Sequence, residues 1–218
     1  MNMNVARRVV LLSTLVISTQ IAFRADAATM IHASRSVFQS QLGSNFTDTY
    51  GAALGYPGSF AILSDAAMSA VVGQTKYQTT GFSNLNIVGM GYYCAGCNGS
   101  FKLDFTSTSY TVDGGVYGAG FDIRYNSGGL YDALVTFGNG STALYQLPGS
   151  AGFWGITSDK AIAKIAFGPG GGNSRSGSFG IDNLTIGVVP EPATWMMLIT
   201  GFGMVGFGLR RRPVQVSN

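Results

Sequence analysis

Four stretches of this chain alternate between outward-reading and inward-reading residues with a period of two. Phe101, Leu103 and Phe105 alternate with Lys102 and Asp104; Phe121, Ile123 and Tyr125 alternate with Asp122 and Arg124. Ala133, Val135 and Phe137 alternate with Leu134 and Thr136; Ala163, Ile165 and Phe167 alternate with Ile162, Lys164 and Ala166. Successive side chains of a strand point to opposite faces, so this spacing predicts strands with one face buried. Turn signals separate them: VDGG at 112–115, NSGG at 126–129, GNGS at 138–141 and GPGGGNSRSG at 168–177. The run FGNGSTALY predicts a tight hairpin in which Asn139 and Gly140 supply positive φ. With almost no helical segment available to cross between strands, the fold class is all-β, an antiparallel β-sandwich or jelly roll. One short helix is predicted in SRSVFQSQLG, capped by Ser34 or Ser36, with Phe38 and Leu42 four apart and Gly43 as its stop. In the closing strand, SFGIDNLTIG, Phe179 and Ile181 share one phase while Leu184 and Ile186 share the other. A β-bulge at Asp182–Asn183 would produce that slip.

The two ends of the chain read differently. Arg7 and Arg8 precede an apolar run from Val9 to Phe23, and Ala25-Asp26-Ala27 follows the small-x-small rule. That is a secretory signal peptide cut between Ala27 and Ala28. Near the other end, Ala193 to Leu209 carries no charge. As a helix rising about 1.5 Å per residue it would reach about 25 Å, which approaches the hydrocarbon thickness of a bilayer. Arg210, Arg211 and Arg212 suit the cytoplasmic side and Trp195 the opposite interface, so a single transmembrane helix is expected. The organisation is therefore 1–27 signal peptide, 28–188 β-sandwich domain, 189–213 sorting and anchor segment, and 214–218 tail.

The positive formal charge belongs to these ends. Arg7, Arg8, Arg24 and Arg210 to Arg212 lie outside residues 28–189, leaving seven cations there against eight acids, all Asp. No basic surface of the kind nucleic acid requires is expected from that balance.

Pro190, Glu191 and Pro192, then Trp195, the apolar stretch and the arginine cluster stand in an order that resembles the PEP-CTERM sorting signal of Gram-negative bacteria. The resemblance covers residues 189–212. It implies a partner, the exosortase, an integral-membrane cysteine peptidase that recognises the Pro-Glu-Pro motif and removes the tail. It also implies export across the inner membrane, transient anchoring there by the C-terminal helix, and a final place at the cell surface or in an exopolysaccharide or biofilm matrix. Pro190, Glu191, Pro192, Trp195, Arg210, Arg211 and Arg212 are then read by another enzyme and catalyse nothing themselves. Two prolines hold the motif extended and keep it out of helices and central strands. A second resemblance, over roughly residues 100–187, is to the jelly-roll domains of exported PEP-CTERM proteins, similar in outline to carbohydrate-binding modules; it implies a fold more than an activity.

Four groups of residues invite a chemical reading. Cys94 and Cys97 in an exported chain predict a local disulfide that stiffens a turn; turn-then-strand sequence follows them, where a redox pair would want a helix. Asp182 has two readings. One is a structural calcium site shared with Asp48 and backbone carbonyls, which the jelly-roll resemblance implies; the other is bulge chemistry with nearby N–H groups. No other cofactor is expected. Asp122 and Asp132 are the carboxylate pair a glycosidase would need, and His32 is the single histidine a triad would need. With no G-x-S-x-G elbow and with His32 near the new N-terminus, the expectation is that the protein is not an enzyme. Tyr92, Tyr93, Tyr117, Tyr125, Tyr131, Tyr145 and Trp154 read either as cross-strand packing or as a sugar-stacking platform. The functional expectation is an exported, non-enzymatic envelope or matrix protein, with glycan binding as the alternative.

Overall fold

A computed structural model describes residues 29–81, 85–111, 113–126, 131–172, 178–189 and 199–206. The signal peptide with Ala27 and Ala28, and the motif residues Pro190, Glu191, Pro192, Trp195 and Arg210 to Arg212, lie outside them. The structure is mostly β, with antiparallel pairing throughout. Its strands are β1 (Met30–His32), β2 (Asn45–Asp48), β3 (Ala61–Leu63), β4 (Lys76–Thr79), β5 (Asn86–Val88), β6 (Cys94–Ala95), β7 (Phe101–Asp104), β8 (Val116–Asn126), β9 (Asp132–Phe137), β10 (Thr142–Gln146), β11 (Gly152–Gly168) and β12 (Phe179–Gly187). Two helices, α1 (Arg35–Ser40) and α2 (Asp65–Val72), interrupt the first half. Nine strands form one sheet; β3, β5 and β6 form a second, small one.

The large sheet is organised by β11, whose 17 residues serve two sets of partners. Its first part pairs with β8 and β1, from Gly152↔Ile123 to Thr157↔Gly118 and from Met30↔Thr157 to His32↔Gly155. Its last part pairs with β9 and β7. Between them Ser158 Oγ accepts the Lys160 N–H at 3.1 Å, and the register with β9 shifts between Ile162 and Lys164. The core phase slips with it. Trp154, Ile156 and Ile162 are buried, then Ile165 and Phe167. The Ile162 expected opposite the buried phase is therefore fully buried, because a bulge at a strand bend turns the following residues over.

This bend lets the sheet curl so that its two halves face each other through aromatic rings. Phe121 of β8 meets Phe167 of β11 edge-on at 5.2 Å, and Phe179 of β12 stacks on Phe101 of β7 at 5.7 Å and on Tyr131 at 4.9 Å. Such pairs contribute beyond the apolar area they remove from water. Of the tyrosines and tryptophan singled out above, Tyr93, Tyr131 and Trp154 are core residues. Tyr92, Tyr117, Tyr125 and Tyr145 are half-buried.

The predicted first helix is α1. Ser34 occupies its N-cap position, but the Ser34 hydroxyl bonds to Ser36 Oγ at 3.0 Å instead of capping a backbone N–H. The second helix, α2, was not expected in a chain dominated by period two. Its signals are local: Ser64 Oγ accepts the Ala67 N–H at 3.2 Å, and Gly73 closes it with φ +76°. The hairpin between β9 and β10 forms, with a correction at its turn. Only Gly140 has positive φ there, and Asn139 instead accepts the Ser141 N–H and hydroxyl at 3.0 and 2.7 Å. That is the geometry of a tight turn followed by a glycine bulge. The β12 bulge falls where predicted: the register with β8 shifts between Asp182 and Thr185, and Asn183 has φ +50°. Among the described residues no helix is long and apolar enough to cross a membrane; the described part of the expected anchor, 199–206, is helical.

Helix α1 covers the outside of the sheet at a glycine floor. A Cβ on Gly120 would stand 2.7 Å from the Phe153 ring and 3.0 Å from Phe38, and one on Gly155 would stand 3.0 Å from Phe38. Side chains on these strands would lift the helix, so glycine is what lets Phe38 become fully buried. Truncating it, Phe38→Ala, is expected to lower the unfolding free energy by about 3 kcal/mol or more through lost packing and an unfilled cavity, measured as a shift of the urea midpoint with an unchanged slope.

Candidate functional site

Three places gather the polar side chains of interest. The first is on the outer face of β8 and β12. In the register of these strands Asp182 stands directly opposite Asp122. Phe121 and Ile123 point to the core, so Asp122 points outward. Arg35 reaches over from α1. Its Nη2 lies 3.0 Å from Asp122 Oδ1 and donates to the Asn183 carbonyl at 2.9 Å; its Nη1 donates to Thr185 Oγ1 at 2.9 Å. The guanidinium also sits 4.8 Å over the Phe153 ring. Asn183 Nδ2 donates to Asp122 Oδ2 at 2.8 Å, and the Asn183 N–H donates to Asp182 Oδ1 at 2.7 Å. Burial pushes the Asp182 carboxyl above its ordinary value, opposed by the Asn183 N–H. Arg35, a planar and permanently charged fork, supplies positive charge to this site together with Arg124.

The second place is inside. Asp48 is 3% exposed. Its Oδ1 accepts the Tyr50 N–H at 3.0 Å; its Oδ2 accepts from Tyr56 Oη at 2.6 Å and lies 3.2 Å from Tyr77 Oη. Tyr77 Oη is also 3.2 Å from Tyr50 Oη. Tyr93 stacks on Tyr50 at 5.7 Å and meets Tyr77 edge-on at 5.0 Å, and links these rings to a second set of bonds: its Oη donates to Asn86 Oδ1 at 2.8 Å, and Asn86 Nδ2 donates to Asp65 Oδ1 at 2.8 Å. This network joins β2, β4, α2 and the small sheet. Burial raises the pKa values of Tyr50, Tyr77 and Tyr93 well above the ordinary tyrosine range, so all three hydroxyls stay neutral.

The expected Asp48–Asp182 pair therefore does not share a site. Asp48 pairs in register with Leu184, a core residue, and points inward; Asp182 pairs with Asp122 and points outward. The bulge between Asp182 and Leu184 sends the two carboxylates to opposite faces of the sheet. Both Asp48 oxygens are already occupied by protein donors. The groups around them are hydrogen-bond donors and Arg35. Among the described residues no three His, Cys, Asp or Glu side chains gather as metal ligands. The Asp122–Asp132 pair does not meet either: Asp132 lies on β9, with β11 between it and β8, and accepts the Gly170 N–H at 3.0 Å. His32, expected in a loose N-terminal region, is instead part of β1. It is buried, and its Nε2 lies 2.9 Å from Thr157 Oγ1. Burial holds its pKa below the usual value.

Cys94 and Cys97 form the predicted disulfide, with Cα atoms 4.7 Å apart. Gly96 and Cys97 both have positive φ, and the Gly96 N–H donates to the Leu85 carbonyl at 2.7 Å. The bond closes the turn directly after Tyr93, whose backbone exchanges two 2.9 Å hydrogen bonds with Ile181 of β12. It stiffens the joint between the small sheet and the large one.

The third place is the exit of the chain. Beyond β12, the Val188 N–H donates to the Ser44 carbonyl at 3.0 Å and the Val188 carbonyl accepts the Gly43 N–H at 2.9 Å. A Cβ on Gly187 would stand 2.7 Å from the Ser44 carbonyl oxygen, so the chain is held closely against β2 up to this point. Pro190 follows two residues later in sequence.

Residues 188–212 match the model of the PEP-CTERM protein-sorting motif. No curated protein and no solved structure matches the chain. The motif carries exosortase-dependent sorting and export toward the cell surface, and its match begins at Val188, the residue bonded to Gly43 and Ser44 just before β2.

Asp48 generates a pH dependence. Burial, the largest influence, raises its pKa above the ordinary 3.8, while the bonds from Tyr56, Tyr50 and Tyr77 oppose it. The folded state then holds this proton more tightly than the unfolded one. Its contribution favours folding at acidic pH and is lost as pH rises from about 3.8 through the raised folded value. Asp48→Asn is expected to remove this fall, seen by comparing the pH dependence of urea unfolding in the two proteins across that window.

Proposed function

We propose that this is a non-enzymatic protein of the cell envelope or exopolysaccharide matrix, delivered by exosortase processing of its tail, with a jelly-roll sandwich as the part left on display. The sorting motif at residues 188–212 carries this reading. Its placement supports it: among the described residues the last backbone bonds before the motif are those of Val188, and Pro190 stands two residues further along the sequence. The non-enzymatic part is supported by the polar groups themselves. Asp122 is clamped by Arg35 and Asn183, Asp48 is enclosed by tyrosines, and His32 is buried against Thr157. A group that must move a proton to a substrate needs access to it.

In this reading the N-terminal leader is removed between Ala27 and Ala28, and the segment 189–213 holds the chain at the inner membrane only until it is cut. Intact-mass and C-terminal peptide mass spectrometry of the exported protein is expected to show a chain lacking Arg210, Arg211 and Arg212. An intact arginine tail on exported protein from exosortase-positive cells would reject the reading.

Glycan binding by the sandwich is a second reading. It is favoured by a cleft of about 430 Å³ beside β1 and the start of β11, lined by His32, Gln146, Phe153 and Trp154 among others. Of these, the half-buried Phe153 ring beside the exposed Gln146 amide suits the alternating apolar and hydroxyl faces of a sugar, Trp154 itself being core. A neutral-glycan array is expected to register such binding, and an array blank for every neutral glycan would remove this cleft as a sugar site.

A further inference from the structure

Three of the seven cations in residues 28–189 stand on one sheet face. The register places Lys76 of β4, Asp104 of β7 and Lys164 of β11 in a row across three strands. In the adjacent row Lys102 of β7 lies between Gln78 and Ala166. Neighbouring strands are about 4.8 Å apart, so Lys76 and Lys164 start about 10 Å apart with Lys102 between them and one row along. All three line one cavity of about 450 Å³ that has α2 as a wall and includes Gln78, Asp65 and Asp104.

The acids here are already engaged. Asp104 bonds Lys164 at 3.1 Å and accepts from the Thr106 N–H and hydroxyl at 2.9 and 2.6 Å. Asp65 Oδ1 accepts from Asn86 and from the Thr79 N–H. Among the described residues neither Lys76 nor Lys102 has an ion-pair partner. Lysine on an edge strand can serve to block edge-to-edge association, and Lys76 on β4 is so placed. Lys102 is not: β7 is paired on both sides, by β4 and by β11. Lys102 thus stands half-buried on an interior strand, two residues from another cationic row and without an ion pair among the described residues.

We propose that this face binds an acidic polysaccharide, a chain carrying a carboxylate on its sugar rings. Lys76 and Lys102 would meet the carboxylates, and Gln78 a hydroxyl between them. The carboxylates supply the charge complement, and the choice of a saccharide rests on the matrix reading above. Single exposed ion pairs are weak, but a polymer offers the same group repeatedly, so several weak contacts act together.

The test uses the full chain in detergent, with polygalacturonate as the acidic probe and dextran as the uncharged one. Single-stranded DNA and anionic phospholipid vesicles form two further arms. Binding to polygalacturonate and not to dextran is expected, with loss in about 1 M salt, where the screening length falls to about 3 Å. Lys76→Gln combined with Lys102→Gln is expected to weaken it about tenfold, as loss of two contacts in a multivalent set, while the melting temperature is retained. Lys160→Gln, an exposed lysine at the β11 bend, is expected to leave binding unchanged. Equal binding to dextran, tighter binding to DNA or vesicles, or an unaffected double variant would overturn the proposal. The two readings fail separately: an intact arginine tail on exported protein rejects the sorting reading, whereas a correctly trimmed protein that ignores polygalacturonate rejects this surface alone.

Discussion

Both halves of the large sheet depend on one strand, β11. Its backbone hydrogen bonds run to β8 and β1 at one end and to β9 and β7 at the other. A straight strand of this length would give a flat sheet with one face in water. The turn at Ser158 and the shift at Ile162–Lys164 bend it, and the bend brings Phe121 against Phe167 and Phe179 against Phe101. Curling thus removes two apolar faces from water at once, which is the dominant favourable term in folding. The polar rows, including the lysines, are left outside.

The tyrosine-enclosed Asp48 is the costliest feature of this core. A buried carboxylate without partners would be strongly unfavourable, and three donors from Tyr50, Tyr56 and Tyr77 offset that. The network ties the early chain, β2 and the segment after it, to β4 and through Tyr93, Asn86 and Asp65 to the small sheet. Apolar contacts alone specify such docking loosely, whereas a donor must meet its acceptor. The disulfide at Cys94 and Cys97 reinforces the same joint.

Arg35 plays the corresponding part on the outer face. It holds α1 to the bulge of β12 and screens the facing carboxylates of Asp122 and Asp182. Together with the Gly43–Val188 bonds it closes the domain close to where the sorting motif starts. The last described bonds of the domain and the Pro-Glu-Pro motif are therefore adjacent in sequence. That arrangement suits a tail that another enzyme must remove without disturbing what it is attached to.

The positions of β7 to β12, the β9–β10 hairpin, the β12 bulge and the disulfide were legible in the sequence, because each depends on side-chain alternation or on residues a few places apart, whereas the short strands β1 to β6 carry no such pattern. The sorting motif was legible for the same reason, being a linear signal read by another protein. Helix α2 left only its cap and its terminal glycine to be read, since nothing else in Asp65–Val72 stands out against the surrounding pattern. What only the tertiary structure decided was which residues face each other. Asp182 meets Asp122 and Arg35, while Asp48 turns inward to Tyr50, Tyr56 and Tyr77, because the bulge between Asp182 and Leu184 reverses the face that the strand presents. Likewise Ile162 joins the core and three lysines share one face only once β11 bends and β7 lies between β4 and β11. Pairing of residues as far apart in sequence as Leu184 and Asp48, or Lys164 and Asp104, is chosen by burial of the whole sheet, and no local pattern contains it.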